Sequence, residues 1–328
     1  MTFVMPIYLC LLELRHRLSK YPAMASLSHR QGWSFAVLLA FLPSLVSAGA
    51  NKDIPPTSYR TGTSEVRVTF FATDENNRLV EQIHEDDFAV VDGDEVIRDF
   101  RSLTRSNETK LDVVLLVDTS QSVAPRFHGI ADQILRIISQ NNPGDDLSVI
   151  TFSGLKPAVV CTADCSNAAT QAKIRSLSPS GATPLFDSLA FTARYLADRH
   201  APGVRQVLIL VSDGNDTISG DSARKALDAV IATGALLYTV NPNKSSQNLR
   251  ASLALQQMAE ATGGRSFSAP ADAADILQSA LADLRASYVV TYPLPSREAG
   301  FHSLRILPKH NMNLRFHCRR GYFYDESQ

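Results

Sequence analysis

The sequence lacks the signatures that mark most catalytic and nucleic-acid-binding chains. It carries no long basic run, and 32 Lys and Arg against 33 Asp and Glu leave a formal net charge of −1, which argues against a nucleic-acid footprint. No glycine-rich phosphate loop with its Lys is present, nor a G-x-S-x-G elbow. His84, His128, His200, His302, His310 and His317 are scattered, not paired at zinc spacing, and read as surface or packing residues. Cysteine is scarce, with four in all. Cys161 and Cys165 flank Thr-Ala-Asp at what reads as a hairpin tip, a spacing that suits a small-loop disulfide in an oxidising compartment. So short a loop gains little through chain entropy. No further paired ligands lie near them for zinc or redox chemistry, and Cys318 reads as a strand residue.

What the chain has is enough length, 328 residues with 45% apolar content, for two domains and a sizeable core. Trp33 to Val46 is an uncharged apolar stretch, with His29-Arg30 before it and Val46-Ser47-Ala48-Gly49-Ala50 behind it. This is the layout of a secretory signal with a small-residue cleavage site. It is shorter than a membrane span needs, so no stable span is expected in the mature form. A second apolar stretch, Phe3 to Leu14, precedes it, and Met24 is the more ordinary start. The expectation is a targeting segment over 1–48, cleavage near Gly49 or Asn51, a Pro-containing linker over 49–63, and a secreted or periplasmic protein; an uncleaved amino-terminal membrane anchor is the alternative. Cys10 lacks the small residue before it that a lipoprotein signal shows.

Strand patterning comes next. Glu65 to Phe70, Asp87 to Val91 and Val96 to Phe100 alternate with period two, and Asp92-Gly93-Asp94 is a hairpin turn. From Leu111 to Arg285 apolar strands (Val113 to Val117, Leu147 to Phe152, Val207 to Val211, Ala235 to Val240, with Ala158 to Cys161 as a short edge) alternate with helical segments. That order predicts an α/β fold, a doubly wound, mostly parallel sheet covered by helices on both faces. Strands return in Tyr288 to Tyr292, Phe301 to Leu307 and Asn313 to Cys318. Residues 64–106 and 286–328 are each too few strands to stand alone, so they are expected to form one small β-sandwich into which the α/β domain, 111–285, is inserted. That domain is expected to fold when expressed by itself.

The functional signal is Asp118-Thr119-Ser120-Gln121-Ser122, directly after a buried strand, where open α/β sheets place their ligand crevices. Alternate spacing lets Asp118, Ser120 and Ser122 face one point, and such oxygen ligands suit a hard divalent cation. Helix capping is the plain alternative for these residues, for Thr183 before Pro184 and for the turn at Asp213-Gly214. Asp216 reads either as an orienter of the site or as a cap for the next helix.

The pattern D-x-S-x-S resembles the metal-ion-dependent adhesion site of von Willebrand factor A-type domains, and Thr183 and Asp213 stand in the order in which that family completes its site. Asp86 to Gly93, Thr262-Gly263-Gly264-Arg265, Tyr288 to Tyr292 and the closing Arg319-Arg320-Gly321-Tyr322 look like the bacterial VWFA-related family called the acidobacterial type. The resemblance implies a divalent cation, Mg²⁺ foremost with Mn²⁺ or Ca²⁺ as alternatives. It implies direct contacts from Ser120, Ser122 and Thr183, with Asp118 and Asp213 acting largely through water. A coordination position stays open for an Asp or Glu of a partner protein. Two other readings stand beside it: a structural part of an envelope assembly, and a metal-dependent hydrolase using an Asp nucleophile. Haloacid-dehalogenase-like phosphatases want a second Asp where this chain has Ser120. The site loop is expected to face solvent, so losing its hydroxyls should hardly alter folding.

Overall fold

Along the first long apolar strand, Val113, Leu115 and Val117 belong to one buried cluster while Val114 and Leu116 belong to another. Period-two alternation thus sends every residue of this run into a core, which only a sheet covered on both faces permits. The computed structural model describes residues 65–106, 110–141, 144–243, 248–268 and 273–324. The expected targeting segment, Met24, Cys10 and the 49–63 linker lie outside these.

The chain opens with four strands, β1 (Glu65–Thr73), β2 (Phe88–Asp92), β3 (Glu95–Ile97) and β4 (Ser102–Arg105). An α/β unit follows: β5 (Lys110–Asp118), α1 (Phe127–Gln140), β6 (Asp146–Phe152), β7 (Ala158–Cys161), α2 (Ala168–Arg175), α3 (Leu185–Asp198), β8 (Val204–Val211), α4 (Ala223–Thr233), β9 (Leu236–Asn241), α5 (Leu249–Thr262), β10 (Ser266–Ser268) and α6 (Ala273–Arg285). Four strands close the chain: β11 (Tyr288–Pro293), β12 (Gly300–Pro308), β13 (Arg315–Cys318) and β14 (Gly321–Tyr324).

The six-stranded sheet runs β10-β9-β8-β5-β6-β7. All its pairings are parallel except β6 with β7. From β5 the chain winds outward one way through β6 and the other way through β8 and β9, so the carboxyl end of β5 lies at the switch point between the two windings. Helices α1, α2 and α6 supply Ile130, Ile134, Ile174 and Leu281 to the core on one face; α3, α4 and α5 supply Leu189, Val230 and Leu255 to the other. Each such side chain, fully buried, contributes about 1.5–3 kcal/mol.

Strands before and after this unit pair with one another. β1 lies antiparallel between β11 and β13, and β12 lies antiparallel between β2 and β14. The resulting four-stranded sheets, β13-β1-β11-β4 and β14-β12-β2-β3, share one core that includes Val68, Phe70, Val90, Val290 and Ile306. Phe70 and Phe88 meet across it with ring centroids 5.0 Å apart.

The Thr262-Gly263-Gly264-Arg265 turn joins the two parts. Gly263 ends α5 at φ +89°, and a Cβ there would lie 2.8 Å from the Cys318 carbonyl carbon in β13. A Cβ on Gly264 would collide with the Leu237 carbonyl oxygen. Arg265 then grips buried Asp283 of α6 with two hydrogen bonds, at 2.8 and 2.6 Å, while its guanidinium lies 5.8 Å from the Phe71 ring of β1. Three strands not expected from the pattern, β4, β10 and β14, are short; Ser-Phe-Ser in β10 holds a single apolar residue, too little for any periodicity to register.

Candidate functional site

Three loops meet at the carboxyl end of β5. Asp118 is the last residue of that strand, and a 3-10 helix, Gln121–Arg126, begins three residues later. Asp118 turns its carboxylate back over the loop: Oδ1 accepts from the Ser120 amide at 2.8 Å and Oδ2 accepts from the Ser212 hydroxyl at 2.8 Å. The Ser120 and Ser122 hydroxyls are hydrogen-bonded to each other at 3.0 Å, so the alternate spacing does bring both oxygens to one place.

Backbone bonds draw in the second loop. The Gln121 amide donates to the Gly181 carbonyl at 3.0 Å, the Ser180 amide to the Thr119 carbonyl at 2.9 Å, and the Gly154 amide to the Ala182 carbonyl at 2.9 Å. Thr183 follows and is buried. The third loop, after β8, is stitched to the second: the Thr217 amide donates to the Thr183 carbonyl at 2.9 Å, and the Thr183 amide to the Thr217 hydroxyl at 2.7 Å. Asp213 sits at its start and accepts from the Asn215 amide at 3.1 Å. Between them Gly214, at φ +80°, packs so close to α5 that a Cβ would lie 2.9 Å from the Ala251 carbonyl oxygen.

Asp118, Ser120, Thr183 and Asp213 are buried and only Ser122 is exposed. This corrects the expectation of a solvent-facing loop: the carboxylate of Asp118 is a fixed acceptor inside the fold, not a surface group. Burial pushes its carboxyl above the ordinary range, with the charge of Asp213 adding to that push, against the hydrogen bonds from Ser120 and Ser212 that pull it down. Two buried carboxylates with no ion pair among the described residues, beside clustered hydroxyls, form an oxygen-only set that suits a hard cation. No group of three or more His, Cys, Asp or Glu that could hold a metal ion occurs among the described residues, so the set here consists of two acids and hydroxyls.

The capping alternative for Thr183 does not hold. The first amides of α3 are taken by the third loop: Leu185 donates to Asp216 Oδ1 at 2.9 Å, and Phe186 donates to the Ser219 hydroxyl at 3.0 Å. Asp216 therefore caps a helix, but the one that begins 31 residues before it in sequence, not the next one. Ser212, whose hydroxyl holds Asp118 and accepts from the Gly214 amide at 3.1 Å, was not singled out from sequence. Its only signal is its place between an apolar strand and Asp213. Away from the site, Cys161 and Cys165 are disulfide-bonded at the edge strand β7, and Cys318 is a free thiol.

Residues 113–215 match the family model of the von Willebrand factor type A domain. No curated protein sequence matches the chain. Solved structures similar to it include a von Willebrand factor type A protein from Catenulispora acidiphila, at 13% identity and a TM-score of 0.46, covering 81% of this chain and 76% of that one. An aerotolerance-related membrane protein from Bacteroides fragilis is similar at 15% identity and 0.43, over 53% and 98%. The vWF domain of a type V pili tip protein from Porphyromonas gingivalis is similar at 13% and 0.41, over 53% and 95%. Among the described residues no helix is long and apolar enough to cross a membrane.

Proposed function

We propose that the domain whose residues 113–215 match the von Willebrand factor type A model is an exported binding module whose loops at Asp118, Thr183 and Asp213 hold a divalent cation for recognition of a partner protein. Mg²⁺ is the foremost candidate, with Mn²⁺ and Ca²⁺ as alternatives. Asp118, Ser120, Ser122, Thr183 and Asp213 are the residues that would hold it. The carrying observation is the convergence itself: Ser120 and Ser122 share a hydrogen bond at 3.0 Å beside a buried Asp118, whose carboxyl is pushed up by burial and by the charge of Asp213. Such a set of neutral hydroxyls and two acids is incomplete without positive charge. When bound, the cation offers a position to an acidic side chain, Asp or Glu, of the partner. Hydroxyl-rich ligation leaves the ion electrophilic, which favours that contact.

The chain's own residues contribute orientation. Ser212 and the Ser120 amide fix both oxygens of Asp118. The bonds between Thr183 and Thr217 keep the second and third loops in step. This arrangement supports binding over hydrolysis, because Ser120 occupies the place where a phosphatase of the aspartyl type needs its second acid. Export to the cell surface or periplasm follows from the apolar segment and small-residue site before residue 51.

Calorimetric titration of the purified protein with Mg²⁺, then Mn²⁺, tests the reading. Saturable single-site binding is expected. No saturable heat with either ion at millimolar concentration would overturn it.

A further inference from the structure

Large apolar side chains stand exposed around the same end of the domain. Leu155 is 88% exposed, Leu249 65%, Leu253 45% and Ile218 43%. Each is tied to a loop of the site. Leu155 follows Gly154, whose amide donates to the Ala182 carbonyl beside Thr183. Ile218 follows Thr217, which is hydrogen-bonded to Thr183 in both directions. Leu249 opens α5 after Asn248, whose side-chain amide donates to Asn215 Oδ1 at 2.6 Å, and the Asn215 amide in turn donates to Asp213. Leu253 lies one turn further along that helix, on the same side as Leu249. Single exposed leucines need no explanation, but several gathered at the rim of one crevice mark a contact surface.

Charge decides what the surface fits. Lys156 and Arg250, both exposed, directly follow Leu155 and Leu249. The half-buried acids nearby are already engaged: Asp187 accepts from the Gly220 and Asp221 amides, at 3.0 and 2.8 Å, Asp221 pairs with Lys225 at 2.8 Å, and Asp216 caps α3. The exposed charges next to the leucines, Lys156 and Arg250, are positive. We infer that Leu155, Ile218, Leu249 and Leu253 form an apolar rim, edged by Lys156 and Arg250, that docks a partner protein through a segment in which acidic residues stand next to large apolar ones. The inference rests on the metal-site reading for the placement of one such acid, but the rim is a separate determinant of affinity and choice of partner.

A random dodecapeptide library displayed on phage and selected against the full chain in millimolar Mg²⁺ supplies the probe. Enriched peptides are expected to place Asp or Glu within two positions of Leu, Ile, Phe or Trp. Affinity of the best synthetic peptide should fall about tenfold or more in Leu155→Ser/Leu249→Ser, the order expected for losing two apolar contacts. Lys156→Glu/Arg250→Glu should slow association, most strongly at low salt. Leu307→Ser, on a strand of the other part of the chain, should change nothing. Binding that needs Mg²⁺ but ignores the leucine changes would overturn the rim and leave the cation site standing. Binding that falls with the leucines yet survives chelator and Ser120→Ala would sink the cation site and keep the rim. Selection that yields no acidic-apolar consensus overturns the rim. Melting curves of the leucine variants, expected to match the parent, guard against misfolding.

Discussion

Tyr292 and Tyr322, one in each sheet of the sandwich, donate to the same oxygen, Asp92 Oδ2, at 2.8 and 2.9 Å. Asp92 is buried, and both phenols are pushed up, by burial first and then by its charge, which favours the protonated, donating form. Gly321 makes the approach possible, since a Cβ there would collide with the His302 carbonyl oxygen. Three sequence motifs that look unrelated, Asp92-Gly93, Tyr288 to Tyr292 and Arg319 to Tyr322, are therefore one hydrogen-bonded lock.

Tyr292→Phe or Tyr322→Phe alone should cost about 1–2 kcal/mol, because the carboxylate retains one donor. The double variant should cost more than the sum, since both donors to a buried acid are then gone. Urea unfolding of the three variants measures this; strict additivity would mean that the shared oxygen does not couple them.

At the proposed cation site, Asp118→Asn separates charge from hydrogen bonding. The amide oxygen can still accept from Ser120, while the buried charge is removed. Cation binding should vanish and the metal-free thermal midpoint should hold or rise. Asp118→Ala should lose binding too, but it strands the Ser120 amide and the Ser212 hydroxyl, at a cost of about 1–3 kcal/mol. A midpoint for the Ala variant equal to that of the Asn variant would refute the buried-acceptor role.

Arg265→Leu leaves Asp283 buried without its cation and should cost about 3–5 kcal/mol, whereas Arg265→Leu/Asp283→Leu should recover a large share of that loss. The segment 111–285 expressed alone should fold, yet melt below the full chain, because Arg265 loses Phe71 and the Ala261 carbonyl loses the Arg320 amide that donates to it at 2.8 Å. Thermal melts of all three check both statements.

His317 supplies a pH dependence. Burial, aided by the Arg265 and Arg315 charges, holds it down to about 4. Its ring stacks on Phe71 with centroids 4.6 Å apart and its Nε2 lies 2.9 Å from the Thr73 hydroxyl. Because its folded value lies below the ordinary one, the stability it contributes is present above about pH 6.5 and is lost as pH falls towards 4, by about 2 kcal/mol. Asp283, raised to about 7 chiefly by burial, works the other way and loses its contribution as pH rises from about 4 to 7. His317→Gln should remove only the first effect. Urea midpoints of parent and variant at pH 7 and pH 4.5 should differ in slope accordingly; parallel slopes would reject the assignment.

The long strands and helices were legible because their periods run for many residues: α1, α3 and α5 start and stop where the apolar pattern does. The Asp118, Ser120 and Ser122 cluster was legible for the same reason, since spacing by two within one loop dictates a common direction. What was hidden is long-range. Ser212 reaches Asp118 across 94 positions and Asp216 reaches Leu185 across 31, and nothing in the local pattern of either residue encodes its partner. Burial of the site loop was likewise invisible, because polar residues read as exposed until the surrounding loops close over them.

The cap that Asp216 places on α3 has a mechanical meaning. Thr183, Leu185, Asp213 and Asp216 lie on two loops that share the start of one helix, while Ser120 and Ser122 follow the strand at the centre of the sheet and reach those loops through the Gln121–Gly181 and Ser180–Thr119 backbone bonds. An ion held by both groups would act as a rivet between them. Any pull that drags a bound partner away from the crevice would then be shared between the first turn of α3 and the central strand of the sheet.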